Sequence, residues 1–200
     1  MKRGLSCLLA FALLIGIWPW QSYAASSAGM VGDGSPGNPY IVMTLDQLNA
    51  VRENLTASYK LGDNIDASAT AGWDGGAGWE PIGNHDTRFA GSFDGNGHVI
   101  KGLTINRPSE EHVGLFGFLE HATVQNIGLE NVSVKGKQFV GGLAGDNVHG
   151  EIANAYTTGE VNGSGQFIGG LTGTNVSSNL DTTSISNSYS KANVSGNLYV

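Results

Sequence analysis

The segment Val140-Gly141-Gly142-Leu143-Ala144-Gly145 occurs three times in this chain in closely related form. The copy before it is Val113-Gly114-Leu115-Phe116-Gly117, and the copy after it is Ile168-Gly169-Gly170-Leu171-Thr172-Gly173. A fixed period is typical of repeat architectures, in which each unit packs mainly on its neighbours. The matched Gly-Leu-x-Gly positions, which start 28 residues apart, are Gly114, Leu115 and Gly117, then Gly142, Leu143 and Gly145, then Gly170, Leu171 and Gly173.

A second landmark follows each core and ends in an asparagine. It is Val124-Gln125-Asn126 in the first unit, Ile152-Ala153-Asn154 in the second and Ile185-Ser186-Asn187 in the third. The third unit carries five extra residues around 177–182, which we expect to form an outward loop. If the units stack, the side chains of Asn126, Asn154 and Asn187 are predicted to form a ladder, with each amide bonded to the next unit.

The length and composition of one unit predict a β-solenoid. Its apolar triplets are too short for helices and are broken by glycine, so helical repeats fit poorly. Three short strands and their turns fit one unit, and such a coil buries its inward side chains only when the next coil stacks about 4.8 Å above it. A β-propeller blade is the alternative, but it normally takes about 40–50 residues. We therefore predict an all-β chain that forms a right-handed parallel β-helix.

The residues before the repeats are predicted to cover the open end of the first coil, since a bare strand edge recruits other chains. Thr44 and Gln47 have the spacing of a capping box, and apolar residues follow at helical spacing as far as Leu55. These features predict an amphipathic helix over 44–56, within an N-terminal cap and first coils over 25–110. The repeats are assigned to about 111–137, 138–166 and 167–197, and we expect the chain to continue beyond residue 200.

The first 24 residues have the three-part layout of a secretory signal peptide. Lys2 and Arg3 precede an apolar run that is short for a membrane span, and Ser22 and Ala24 are small residues at the −3 and −1 positions of a cleavage site. We predict cleavage after Ala24 and a secreted or cell-surface protein. The alternative is an uncleaved N-terminal anchor.

The composition of the mature chain limits the classes of partner that it can bind. No membrane span is predicted in the mature chain. Without Lys2 and Arg3 it has 8 basic and 17 acidic residues, a formal charge of −9. Nucleic acid is therefore an unsuitable partner, because its binding depends on Lys and Arg contacts to phosphate. The single cysteine, Cys7, lies in the signal peptide, which excludes a disulfide framework and a Cys-ligated metal site.

Three segments before the repeats suggest a family. They are Gly-Asn-Pro-Tyr-Ile (37–41), Trp-Glu-Pro-Ile-Gly (79–83) and Phe-Asp-Gly-Asn-Gly-His-Val-Ile (93–100). Together with the repeats they resemble bacterial proteins that carry the GLUG motif. The resemblance implies a β-helical region of large secreted or surface-attached proteins. These include filamentous-haemagglutinin-like adhesins and the non-catalytic N-terminal part of zinc peptidases that cleave immunoglobulin A.

The resemblance implies no catalytic residue, and the peptidase motif HExxH is absent, because no histidine of this chain is followed by glutamate. Trp73 and Trp79 are the candidate ligand-binding residues, on a stretch predicted as a loop over 71–84. Aromatic faces can stack on sugars, but large aromatic side chains are more often buried, so packing against the first coils is favoured. No metal site or other cofactor is predicted, since the acidic turns lack the spacing of calcium-binding motifs.

These features predict a non-enzymatic exported surface protein, a stalk or adhesin-like interaction module. Its expected partner is a host or matrix protein or a glycan, and self-association through the open edge of the last coil is also expected. The alternative is a β-helical polysaccharide lyase or hydrolase, which needs adjacent carboxylates and, for a lyase, a basic proton acceptor. Asp146 and Glu151 are the nearest acidic pair in the repeats, and no acid recurs there at matched positions.

Overall fold

The computed structural model describes residues 27–178 and 181–200, and the predicted signal peptide over 1–24 lies outside them. Strands predominate in these residues, which places the chain in the all-β class, as predicted. The strands are β1 (Tyr40–Val42), β2 (Ser58–Leu61), β3 (Ile65–Asp66), β4 (Ser92–Asp94), β5 (Val99–Lys101), β6 (Thr104–Asn106), β7 (Glu111–Val113), β8 (Phe116–Glu120), β9 (Thr123–Gly136), β10 (Gln138–Gly141), β11 (Ala144–Val148), β12 (Glu151–Gly163), β13 (Ile168–Gly169), β14 (Thr172–Val176), β15 (Ser184–Ser186) and β16 (Tyr189–Ser195).

The helix between β1 and β2 is shorter than the range predicted for it, 44–56. Helix α1 spans Leu45–Ala50 and continues as one 3-10 turn, Val51–Glu53. Thr44 caps its start, where the hydroxyl oxygen accepts a hydrogen bond from the Gln47 amide at 3.2 Å. Asn54 ends it, because its backbone is extended and its side-chain oxygen accepts from the Thr56 amide at 3.3 Å. No helix of the described residues is long and apolar enough to cross a membrane.

The strands form three sheets, and every pair of named strands is parallel. Sheet B has the order β13-β10-β7, and sheet C has the order β14-β11-β8. The remaining ten strands form sheet A, in which β9 and β12 are the long central strands. Each repeat unit therefore contributes its first strand to sheet B, its second to sheet C and the rest to sheet A, where the third unit has two strands, β15 and β16.

The sequence period appears directly in the strand register. Phe116 pairs with Ala144, and Ala144 pairs with Thr172, so equivalent residues of successive units are hydrogen-bonded neighbours 28 positions apart. Ile152 of β12 pairs with Ile185 of β15, 33 positions on. The five extra residues of the third unit therefore lie between β14 and β15, as the sequence comparison predicts.

One hydrophobic core runs from the N-terminal segment into the repeats. The side chains of Leu115 and Leu143 are fully buried, whereas Leu171 at the same position of the third unit is part-buried. The outermost unit is the most exposed, with Val176 at 49% and Ile185 at 38%. Among the described residues no strand covers β14 and β15 on their outer side, which explains the difference.

Asparagines occupy a left-handed corner before the last strand segment of each unit. Asn126, Asn154 and Asn187 have φ angles of 55°, 52° and 49°, a region that asparagine adopts more readily than most residues. The Asn154 amide nitrogen donates to the Asn126 side-chain oxygen at 3.0 Å. The Asn126 amide nitrogen donates in turn to Asp94 at 3.0 Å. This column therefore links two repeat units and the N-terminal segment.

Tyr156 lies on the outer side of sheet A, where its ring stacks on Tyr189 with centroids 5.3 Å apart. Its hydroxyl donates to the Glu130 carboxylate at 2.8 Å. Burial raises the pKa of the Tyr156 phenol to about 12, and the hydrogen bond to Glu130 adds to the rise. The same hydrogen bond, with help from Lys101, lowers the pKa of Glu130.

We expect alkaline titration to detect Tyr156 at about pH 12. Because the folded-state pKa lies above the ordinary value of 10.0, this contribution to stability is complete below pH 10 and is lost as the pH rises towards 12. Absorbance at 295 nm, compared between the chain and Tyr156→Phe, isolates the group. In Glu130→Gln the pKa of Tyr156 should fall, because the carboxylate that contributes to its rise through a hydrogen bond and a charge is removed. A Tyr156 phenol that titrates near 10 in the unaltered chain would contradict this environment.

Candidate functional site

The two predicted ligand-binding tryptophans have different environments. Trp79 is 0% exposed, and its indole nitrogen donates to the Leu115 carbonyl oxygen at 3.1 Å. Trp73 is part-buried, and its ring stacks on Trp79 with centroids 5.9 Å apart and planes 26° apart. A buried indole has no face for a ligand, so the packing interpretation applies to Trp79. Only Trp73 is placed where a ligand could reach it.

A sharp turn sets the position of Trp73. A 3-10 segment, Ser68–Gly76, overlaps the start of the stretch predicted as a loop over 71–84. A kink interrupts this segment. Trp73 has an extended backbone (φ −73°, ψ 152°), and Asp74 is left-handed (φ 49°, ψ 47°). Left-handed backbone is uncommon outside glycine, although aspartate is among the residues that adopt it most often. The turn places Trp73 and Asp74 together at the edge of a groove.

The groove lies between helix α1, the 3-10 segment and the chain after β6. Its volume is about 450 Å³, within the range of about 300–1,000 Å³ that is typical of small-molecule pockets. Both apolar and polar groups contribute to its walls. The lining residues are Asn49, Trp73, Asp74, Gly78, Glu80 and Arg107.

Arg107 organises the groove and is itself nearly saturated. Its side chain is 9% exposed and donates to the Asp74 carboxylate at 2.9 Å, to Glu110 at 3.0 Å and to the Trp79 carbonyl oxygen at 3.0 Å. The Asp74 and Glu80 side chains are 67% and 71% exposed. The accessible charge of the groove is therefore negative, although a cation forms part of its wall.

A second feature is a column of stacked rings, which the repeat comparison did not identify. We define the aromatic column as His112, Phe139, Phe167 and Tyr199. Successive centroids are 4.9, 5.1 and 5.2 Å apart, with interplanar angles of 3°, 6° and 13°. The available sequence signal was an aromatic ring directly before the Val or Ile that begins each core.

The geometry of the aromatic column favours a structural role. Its four residues have φ angles between 52° and 60°, which is unusual for bulky side chains and persists only where the surroundings hold it. Each inner ring has both faces covered by its neighbours, so a planar ligand cannot enter between them. We interpret the column as a contact that aligns successive units.

The acidic pair considered for the lyase or hydrolase alternative does not share an environment. Asp146 on β11 is 5% exposed and bonds through its two oxygens to His112 Nδ1 and Thr174 Oγ1. Glu151 is exposed at the start of β12. Strand pairing in sheet C places Asp146 beside Phe118 and Thr174, so the neighbouring units have no carboxylate at the equivalent position. Asp146 therefore links repeat units and holds the lowest ring of the aromatic column.

Within the part of the chain that the structure describes, Glu120, His121 and His149 are close enough together to hold a metal ion. One potential ligand atom from each lies within 4.8 Å of the others. Arg88 forms an ion pair with Glu120, however, and His149 Nε2 accepts from the Ser178 amide at 3.0 Å. The Nδ1 atom of His149 has no hydrogen-bond partner, but an ion at this cluster would compete with Arg88 for the Glu120 carboxylate, so the cluster carries no assignment.

Comparison with curated proteins identifies two relatives that are much longer than the matched segment. A protein named "Halomucin" from Haloquadratum walsbyi is 44% identical over 149 residues, which cover 70% of this chain and 2% of that protein. A "Putative Gly-rich membrane protein" from Evansella cellulosilytica is 38% identical over 161 residues, which cover 76% of this chain and 18% of that protein. The chain therefore spans less than a fifth of either relative.

A solved structure and a family model both relate this chain to immunoglobulin A1 proteases. The crystal structure of a "putative immunoglobulin A1 protease" from Bacteroides ovatus superposes with a TM-score of 0.62 at 30% identity, over 80% of this chain and 49% of that one. Residues 38–159 match the family described as the M26 IgA1-specific metallo-endopeptidase N-terminal region. That description names the N-terminal region and not the catalytic part. With more than half of its residues matched, this chain belongs to the family of M26 IgA1-specific metallo-endopeptidase N-terminal regions.

Proposed function

We propose that this chain is a non-enzymatic exported surface protein in which a right-handed parallel β-helix serves as a stalk or adhesin-like interaction module. The observation that carries the proposal is the parallel pairing of equivalent segments of successive units in all three sheets, at a register of 27 or 28 residues between the first two units. A chain whose successive units each return to the same three sheets with parallel strands follows the path of a solenoid. Parallel crossovers are right-handed in about 98% of cases, which supports the proposed handedness.

The comparisons support an exported location and a role other than catalysis. The matched family region is the N-terminal part of a peptidase family. The names of the two relatives, a halomucin and a membrane protein, favour the cell surface or its surroundings. A rod of stacked coils presents the same outward positions at regular intervals, which suits contact with a host or matrix protein or a glycan. The acidic charge makes nucleic acid an unsuitable partner.

Attachment of beads tests the proposal directly. We expect beads coated with the exported chain to adhere to host cells, matrix proteins or biofilm more strongly than beads coated with the same chain after heat unfolding. The exported chain incubated with pectin, alginate or host glycans should release no unsaturated or reducing ends. Equal adhesion of both bead types would exclude the adhesin role, and release of new sugar ends would favour the polysaccharide lyase or hydrolase.

A further inference from the structure

The groove beside Trp73 combines an aromatic surface with hydrogen-bonding groups that are held in place. Trp79 covers one face of the Trp73 ring, so its other face or its edge lines the groove. Because Trp79 is fixed by its bond to Leu115, the Trp73 ring has a rigid support. A rigid aromatic surface loses little conformational entropy when it binds a ligand.

The polar groups of the groove match hydroxyl groups. The Asp74 carboxylate is oriented by Arg107 at 2.9 Å and remains largely exposed, so its oxygens can accept from hydroxyl donors. Glu80 is also exposed, and its carboxylate oxygen lies 3.5 Å from a guanidinium nitrogen of Arg52. Asn49 uses its side-chain oxygen to accept from Arg52 at 2.9 Å, which leaves its amide nitrogen as a donor.

The charges of the groove exclude acidic ligands. Arg107 is engaged by Asp74, Glu110 and backbone oxygens, and Arg52 by the Asn49 and Glu80 side chains and three backbone oxygens. Neither guanidinium is therefore free to neutralise a carboxylate or sulfate on a ligand. The exposed Asp74 and Glu80 would repel such a group.

We propose that this groove is a binding subsite for a neutral saccharide, whose ring stacks on Trp73 while its hydroxyls bond to Asp74, Glu80 and Asn49. Trp79 is a support and does not touch the ligand. The inference rests on the proposed interaction role and names its ligand class. The groove volume of about 450 Å³ accommodates one or two sugar rings.

Titration of the exported chain with glucose, galactose, mannose, N-acetylglucosamine and glucuronate tests the subsite, with the tryptophan indole signals observed by ¹H–¹⁵N NMR. We expect at least one neutral sugar to shift the Trp73 signal saturably, with a Kd on the order of millimolar, and glucuronate to cause no shift. No saturable shift with any neutral sugar up to about 0.1 M would overturn the proposal.

Variants separate the subsite from other surfaces. Trp73→Ala should weaken the affinity for the neutral sugar about tenfold or more, whereas Tyr189→Ala, which removes a half-exposed ring outside the groove, should leave it unchanged. The double variant Asp74→Asn with Glu80→Gln should gain affinity for glucuronate, because it removes the repulsive charges, and asparagine tolerates the left-handed backbone at 74. Circular dichroism and tryptophan emission report whether each variant is folded.

The saccharide subsite and the surface interaction role can be excluded independently of each other. If Trp73→Ala binds the neutral sugar as tightly as the unaltered chain, the subsite is excluded. If beads coated with the chain still attach to cells in that case, the surface role stands without it. Saturable sugar binding by a chain that attaches to no surface would instead support the subsite and exclude the adhesin role.

Discussion

We expect Gly145→Ala to lower the free energy of unfolding by about 2–4 kcal/mol. A β-carbon at this position would lie 2.6 Å from the Gly117 carbonyl oxygen and 2.6 Å from the His112 carbonyl carbon. Both are backbone atoms of the preceding unit, so no side chain can move aside. Gly173, which follows 28 positions later, has the same contact with the Gly145 oxygen at 2.6 Å. The last glycine of the Gly-Leu-x-Gly core is therefore required for the close approach of successive units.

Urea denaturation followed by far-UV circular dichroism measures this loss of stability. Gly37→Ala is the matched control, because a β-carbon there meets no atom within 4 Å and the residue is not left-handed. Its free energy of unfolding should change by less than about 0.5 kcal/mol. If Gly145→Ala were as stable as Gly37→Ala, the units would have to lie further apart than in this structure.

Phe116→Ala should have an effect of similar size, about 3–5 kcal/mol of unfolding free energy. Phe116 is 0% exposed, and its ring lies 4.9 Å from Phe89 and 5.5 Å from Phe93, centroid to centroid. These rings join the N-terminal segment to the first repeat unit. Truncation would leave a cavity at that junction, which costs more than the lost transfer free energy alone.

The same substitution at Phe167 provides the comparison. Phe167 is part-buried in the aromatic column, so Phe167→Ala should cost about 1–2 kcal/mol. For Phe116→Ala, the fluorescence of Trp73 and Trp79 in the N-terminal segment and the circular dichroism of the whole chain should show the same lowered transition midpoint. A fluorescence transition that stays at the midpoint of the unaltered chain would mean that the N-terminal segment unfolds independently of the repeats.

Several features of this fold could be predicted from the sequence alone. The Gly-Leu-x-Gly spacing predicted the register, since each unit pairs with the next at equivalent residues. The Thr44 cap was also predictable, because it depends on residues three positions apart. The end of helix α1 was predicted too late, since the side-chain bond of Asn54 and the following turn outweighed the helical spacing of Leu55.

The positions of the two tryptophans show where the sequence was insufficient. Trp73 and Trp79 lie six residues apart in similar glycine-rich surroundings, and nothing local distinguishes a buried indole from a part-exposed one. The difference arises because the carbonyl of Leu115, 36 residues away, accepts the Trp79 N–H, whereas Trp73 packs at the edge of that contact.

By itself the sequence determined the repeat, the strand register that follows from it and the excess of negative charge, because each of these depends on the order or number of residues. Only the tertiary structure decided which tryptophan is accessible, how the aromatic column stacks and where the groove lies. The groove brings together Asn49, Trp73 and Arg107. These residues are far apart in the chain, and their contact depends on how the N-terminal segment packs over the first strands.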